Sequence, residues 1–193
     1  MVAVAAVKAP TGKESWFMSA PSFRTGKIDD VVMRFLDKQI DERGWLCELY
    51  RLDELPAMYY PAMGYMSLTQ PGVLRGPHEH RRQTDHFCFL GPARFRMYMW
   101  DNRPDSPTYG VFQEERIAPN HPVCVIVPPG VVHGYQNADD VPGLLLNFPD
   151  QLYRGAGKLQ PVDEIRHEDD PFSPFKMELK PRSGKRRRRD KVV

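Results

Sequence analysis

Between Ile28 and Phe148 the chain is cut into short apolar or alternating runs, each bounded by turn residues, and this limits its fold more than any other feature. The runs read "VVMRFL", "GWLCELYRL", "MGYMSLTQ", "HFCFLG", "ARFRMYMW", "VFQEERIA", "VCVIVPP" and "GLLLNFP". They are too short for ordinary helices and rich in β-branched and aromatic residues, so they predict strands of a sandwich or barrel. The 19 prolines fall mostly at run boundaries, where strands tolerate them. "ERGW" and "LGPARF" predict hairpin turns, and "RLDELPAM" predicts one short helical turn. An all-β, antiparallel jelly roll of about eight or more strands accommodates so many short strands with few open edges, and its interior is the usual ligand pocket.

Outside this region the composition changes. Residues 1–27, rich in Ala, Ser, Pro and Lys, predict an arm that orders only against another surface. Residues 28–178 form the expected jelly-roll domain, and residues 179–193 a disordered basic tail. The net charge of +2 is unevenly placed, because Lys180–Val193 holds eight Lys/Arg against Asp190 alone. The remainder is mildly acidic, which argues against a nucleic-acid-binding face on the body; contact with nucleic acid is expected only non-specifically, through the KRRRR run. Cys47, Cys88 and Cys124 sit singly in apolar runs, suggesting neither a disulfide framework nor a thiolate zinc site but buried free thiols in a reducing compartment. "MVAVAAVKAP" lacks the basic region and apolar length of a signal peptide, and no segment reaches the ~20 apolar residues of a membrane span. A cytoplasmic protein with no membrane contact is expected.

The chemistry-bearing residues concentrate in "GVLRGPHEHRRQTDHFCFLG", residues 72–91, and "PPGVVHGYQN", residues 128–137. On a strand, residues two apart share a face, so His78 and His80 point the same way and a partner strand can bring His133 opposite them. Three imidazoles with Asp85 or His86 as a fourth ligand suit divalent zinc, iron, nickel or manganese with coordination positions left open. The two stretches resemble the paired motifs of the cupin superfamily, G-x5-H-x-H-x(3,4)-E-x6-G and P-x-G-x2-H-x3-N. The second match is complete; the first has Asp85 or His86 where Glu is expected.

A narrower resemblance covers more of the chain. "DERGWLCE" (41–48), "GVLRGPH" (72–78), "SPTYG" (106–110), "PPGVVHGY" (128–135) and "IRHEDDP" (165–171) resemble, in order, motifs of the dTDP-4-dehydrorhamnose 3,5-epimerase family. These are cupins that generally work without metal. The resemblance implies His78 as the general base, Arg43 and Arg75 as contacts to the nucleotide diphosphate and sugar, and His133 as part of the pocket wall. An imidazole suits reversible removal of a proton alpha to a ketone if the enolate is stabilised, and guanidinium forks suit phosphate. The departures fall on the chemistry. The family Lys near the developing enolate is replaced by Asp85, the family Tyr that acts as acid falls on Leu146, and the carboxylate that pairs with the base has no clear counterpart. Tyr98, Tyr109 or Tyr135, or a cationic His80 or His86, are the expected substitutes.

The leading expectation is therefore a nucleotide-sugar epimerase or isomerase of the EC 5.1.3 type, without cofactor. It would abstract a proton alpha to the keto group of a dTDP-4-keto-6-deoxy sugar. One alternative is a metal-dependent cupin enzyme, a dioxygenase or isomerase, using His78, His80, Asp85, His86 and His133. The other is a non-catalytic sugar-binding cupin. A homodimer is expected, with the N-terminal arm adding a strand across the interface as in the family.

Overall fold

A computed structural model describes residues 22–178. In chain order the strands are β1 (Arg24–Thr25), β2 (Val32–Phe35), β3 (Lys38–Asp41), β4 (Gly44–Cys47), β5 (Tyr65–Thr69), β6 (Leu74–Glu79) and β7 (Asp85–Gly91). Then come β8 (Phe95–Asp101), β9 (Val111–Ile117), β10 (Val123–Val127), β11 (Val131–Asn137), β12 (Gly143–Asn147) and β13 (Ile165–Arg166). Helix among the described residues is confined to single 3-10 turns, one of them at Ala57–Tyr59, where the RLDELPAM stretch ends. The expected all-β sandwich is present.

Two sheets face each other. One has the order β1-β9-β8-β11-β6-β13, the other β2-β10-β7-β12-β5, and β3 with β4 forms a separate hairpin. "ERGW" is the turn of that hairpin, Asp41 pairing with Gly44. "LGPARF" is not a hairpin turn: β7 and β8 belong to different sheets, so the segment carries the chain across the sandwich. Gly91 makes this corner with φ +85° and so close to Pro119 that a Cβ would lie 2.6 Å from its carbonyl oxygen. Of residues 1–27, the described part contains β1, which pairs parallel with β9 at the edge of the six-stranded sheet. The basic tail and residues 1–21 of the arm lie outside the described residues.

The core follows from alternation. In β10, Val123, Val125 and Val127 face the other sheet, while Cys124 and Ile126 face outward. β7 and β11 do the same with Phe87 and Phe89, and with Val131 and Tyr135. Burying one such aromatic side chain stabilises the fold by about 2–3 kcal/mol. The outer faces are also covered. Leu49, Leu55 and Tyr59 lie over Cys88, Cys124 and Ile126, and Phe175 and Met177 over Tyr98, Trp100 and Val132. Burial on both faces is why "VCVIV" reads as one unbroken apolar run.

Candidate active site

His78 and His133 are direct cross-strand partners on β6 and β11. A register irregularity follows His133, where β6 contains Pro77, a residue that cannot donate to the ladder. Gly76 makes the approach possible. Its φ is +83°, and a Cβ there would lie 2.8 Å from the His133 carbonyl oxygen and 3.1 Å from His78 Nδ1. The glycine of R-G-x-H is thus a requirement of backbone packing.

β7 adds Asp85, which is buried and fully engaged. Its Oδ2 lies 3.0 Å from His133 Nε2 and 3.2 Å from His80 Nε2. Its Oδ1 accepts from Gln83 Nε2 at 2.8 Å and Asn147 Nδ2 at 2.9 Å. The remaining ring nitrogens also face acceptors: His133 Nδ1 donates to the Val131 carbonyl at 2.9 Å and His80 Nδ1 to that of Asp163. Burial alone would lower His80, but the hydrogen bond and charge of Asp85, helped by the Asp163 carbonyl, raise it to about 9. Burial likewise works against an ionised Asp85, yet hydrogen bonds from His133 and His80 hold it well below the usual carboxylate range. His80 is therefore an imidazolium at neutral pH. His78 is the opposite case: burial, then the neighbouring charge of His133, lowers it to about 2, so its ring is neutral.

The site opens into a cavity of about 1000 Å³, lined by Tyr65 of the five-stranded sheet, His78 of the six-stranded sheet, His80 and residues of the 149–164 segment. Glu164, just before β13, brings Oε1 to 3.8 Å from His78 Nδ1, because β13 pairs with β6 and sets Arg166 opposite His78. Glu164 is a carboxylate beside His78 to which the sequence did not point. Tyr65 stands opposite Asn147 in the β5–β12 pairing, and its hydroxyl accepts from Asn147 Nδ2 at 2.9 Å. Burial raises this phenol to about 12, against the opposing effect of Asn147.

Other sequence expectations fall elsewhere. His86 follows Asp85 directly on β7 and so points to the opposite face of the sheet, where Nε2 lies 2.8 Å from Cys124 Sγ; it joins neither the His/Asp cluster nor the cavity. Leu146 also faces outward, packed with Cys88 and Cys124, and the inward neighbour is Asn147. Tyr135 lies in the core between the sheets and Tyr98 in the outer cluster under Phe175. Tyr109 is half exposed and does not line the cavity. Arg43 is at the exposed tip of the β3–β4 hairpin, paired with Asp41. Arg75 is tied to Thr69 Oγ1 at 3.1 Å and the Leu68 carbonyl at 3.3 Å. Neither arginine lines the cavity of its own chain, and His133 lies behind the lining residues. The cations that do line it are Arg82, Arg154 and Lys158, none of which stands out in the sequence.

Three imidazoles and a carboxylate, with ligand atoms all within 4.8 Å of one another, also form a donor set that fits a divalent metal. The carbonyls on His80 and His133 and the amides on Asp85 orient the ligands as outer partners do in metal sites.

Residues 25–157 match the family model described as dTDP-4-dehydrorhamnose 3,5-epimerase. Among curated proteins, a probable low-salt glycan biosynthesis epimerase of Haloferax volcanii, Agl13, is 38% identical over 128 residues, 65% of this chain and 81% of that protein. The spore coat polysaccharide biosynthesis protein SpsL of Bacillus subtilis is 30% identical over 126 residues, 65% and 82% of the two chains. A dTDP sugar isomerase structure from Desulfovibrio desulfuricans superposes with a TM-score of 0.65 at 24% identity, covering 77% of this chain and 91% of that one. NovW, a 4-keto-6-deoxy sugar epimerase from Streptomyces spheroides, gives 0.63 at 24% identity over 79% and 77%. At these identities the structural likeness speaks for the fold.

Proposed function

The chain belongs to the dTDP-4-dehydrorhamnose 3,5-epimerase family, and from that premise we propose that it inverts a carbon alpha to the C4 ketone of a dTDP-4-keto-6-deoxy sugar, with His78 as the base. It is a nucleotide-sugar epimerase, an enzyme of the EC 5.1.3 class. The observation that carries the residue assignment is the juxtaposition of a neutral His78 and an imidazolium His80 at one wall of a cavity of about 1000 Å³.

The roles follow from charge. Neutral His78 has a free lone pair for the alpha proton, although its burial makes it a weaker base than a free imidazole. As it becomes imidazolium, the Glu164 carboxylate beside Nδ1 offsets the new charge. The enolate oxygen gathers negative charge as the proton leaves, and the His80 cation supplies the positive field that a lysine supplies in relatives. Tyr65, a phenol held neutral at the cavity wall, returns a proton to the opposite face, and Asn147 fixes its hydroxyl. Arg82, Arg154 and Lys158 suit the diphosphate.

We propose further that the protein works in the cytoplasm as a homodimer. No described helix is long and apolar enough to cross a membrane, and the three cysteines are free thiols. β2 is a sheet-edge strand, and Phe35, Ile40 and Leu46 on β2–β4 are exposed, an apolar face suited to a second copy.

A second reading rests on the ligand geometry of His78, His80, Asp85 and His133. A divalent ion held there would supply Lewis acidity, while this chain's residues bind and orient the substrate. One experiment separates the readings. Wild-type enzyme in D2O with a dTDP-4-keto-6-deoxy sugar is expected to incorporate deuterium at C3 or C5, read by NMR, and His78→Asn to lose it, with the metal content of the purified protein unchanged by His80→Ala. Near-stoichiometric metal that disappears in His80→Ala would favour the metal-dependent enzyme, and neither signal would leave a sugar-binding protein.

A further inference from the structure

On the far face of the five-stranded sheet a second cluster of donor atoms has no part in this chemistry. Cys88 on β7 and Cys124 on β10 are directly opposed in the antiparallel register, and His86 shares the outward face of β7 with Cys88. His86, Cys88 and Cys124 are at most 1% exposed, and their ligand atoms all lie within 4.8 Å of one another. His86 Nδ1 is buried without a hydrogen-bond partner, an arrangement that is costly in an apolar setting. The cluster adjoins a cleft of about 370 Å³ lined in part by His86, Cys124, Arg34, Glu54 and Tyr59.

Packing alone explains buried thiols among Leu36, Leu55 and Ile126. It does not explain a histidine beside them, since an imidazole in that setting loses its water and regains only one partner. A ligand set does explain it. Two sulfurs and one ring nitrogen are the donors that a soft divalent ion prefers, and rigid paired strands present them with little reorganisation.

We propose that His86, Cys88 and Cys124 form a second site on this protein, for a single zinc-type divalent cation. Binding displaces one proton from each thiol to solvent, so that two thiolates neutralise the ion and neutral His86 gives a lone pair. His86 and Cys124 line the adjoining cleft, from which a water can supply a fourth donor. The site is separated by the thickness of the sheet from His78, His80, Asp85 and His133, and its chemistry differs: that cluster contains no sulfur.

This difference gives a clean readout. Full-length protein, stripped with a chelator and kept reduced without oxygen, is titrated with Co2+. One equivalent is expected to give thiolate-to-cobalt charge transfer in the near ultraviolet with visible bands of tetrahedral cobalt, all bleached by Zn2+. Cys88→Ala and Cys124→Ala should each lose the charge-transfer band, with an unchanged circular dichroism spectrum as the check that the variant is folded. Wild-type protein lacking the band overturns the proposal without recourse to any variant. A band that survives in a Cys88→Ala/Cys124→Ala double variant, or a Cys88–Cys124 disulfide in protein purified without reductant, overturns it as well.

Discussion

Replacing Asp85 by Asn changes one charge and almost no volume, and tests whether the cation in the cavity is held by that carboxylate. In the wild type, raising His80 from 6.5 to about 9 corresponds to roughly 3–4 kcal/mol of preference for the imidazolium, at about 1.4 kcal/mol per pH unit. In Asp85→Asn the attraction is gone while burial remains, so His80 drops below 6.5 and is neutral at physiological pH. Losing a charge aimed at a developing enolate costs about 10²–10³ in rate, and deuterium wash-in should slow accordingly. Stability moves too. A histidine raised in the fold contributes fully below its unfolded value of 6.5 and loses that contribution as pH rises through about 9. A carboxylate lowered in the fold contributes above 3.8 and loses its contribution as pH falls through the folded value. Breaking a buried pair costs about 3–5 kcal/mol, so the variant should be destabilised by that order at about pH 6. The gap should narrow by about pH 10, where wild-type His80 has lost its proton. NMR of the His80 ring nitrogens, urea unfolding at both pH values and wash-in together decide the matter. A wild-type His80 that titrates at or below 6.5, or unchanged exchange in Asp85→Asn, would refute the reasoning.

Tyr65→Phe should slow net inversion by about 10²–10⁴ while wash-in from the His78 face continues, because it removes the returning proton and leaves the base; equal loss of both would assign Tyr65 to binding. Phe35→Glu places a charge on the exposed apolar face at the edge strand and should leave a monomer in sedimentation velocity, whereas an unchanged dimer would put the interface elsewhere.

The fold was legible because alternation is a local property. Val123, Val125 and Val127 reveal one face of β10 without any knowledge of its neighbours. Local signals failed at "LGPARF", since a tight hairpin and a crossing between sheets use the same residues. The choice was made at long range, by Ala93 and Phe95 packing between the sheets. The site divides the same way. His78, His80, Asp85 and His133 lie within recognisable motifs, whereas Glu164 and Tyr65 reach the cavity only because β13 pairs with β6 and β5 with β12. His86 competed with Asp85 as a fourth ligand because adjacent strand residues differ only in the face they choose. Parity with Phe87 and Phe89, which fill the core, would have placed Asp85 inward and His86 outward.

The substitution that looked most damaging in the sequence becomes intelligible once the charges are assigned to the cluster and not to a position. A lysine beside the enolate brings its own positive charge; an aspartate in its place brings a negative one, and in isolation would oppose enolate formation. Asp85 is not isolated, since it holds two imidazoles and two amides and faces the substrate through His80. What the cavity meets at that wall is the His80 cation, with Asp85 behind it. The exchange also makes the charge titratable. A lysine in its ordinary range keeps its charge past pH 10, whereas this enzyme should lose rate on an alkaline limb near pH 9, as His80 gives up its proton.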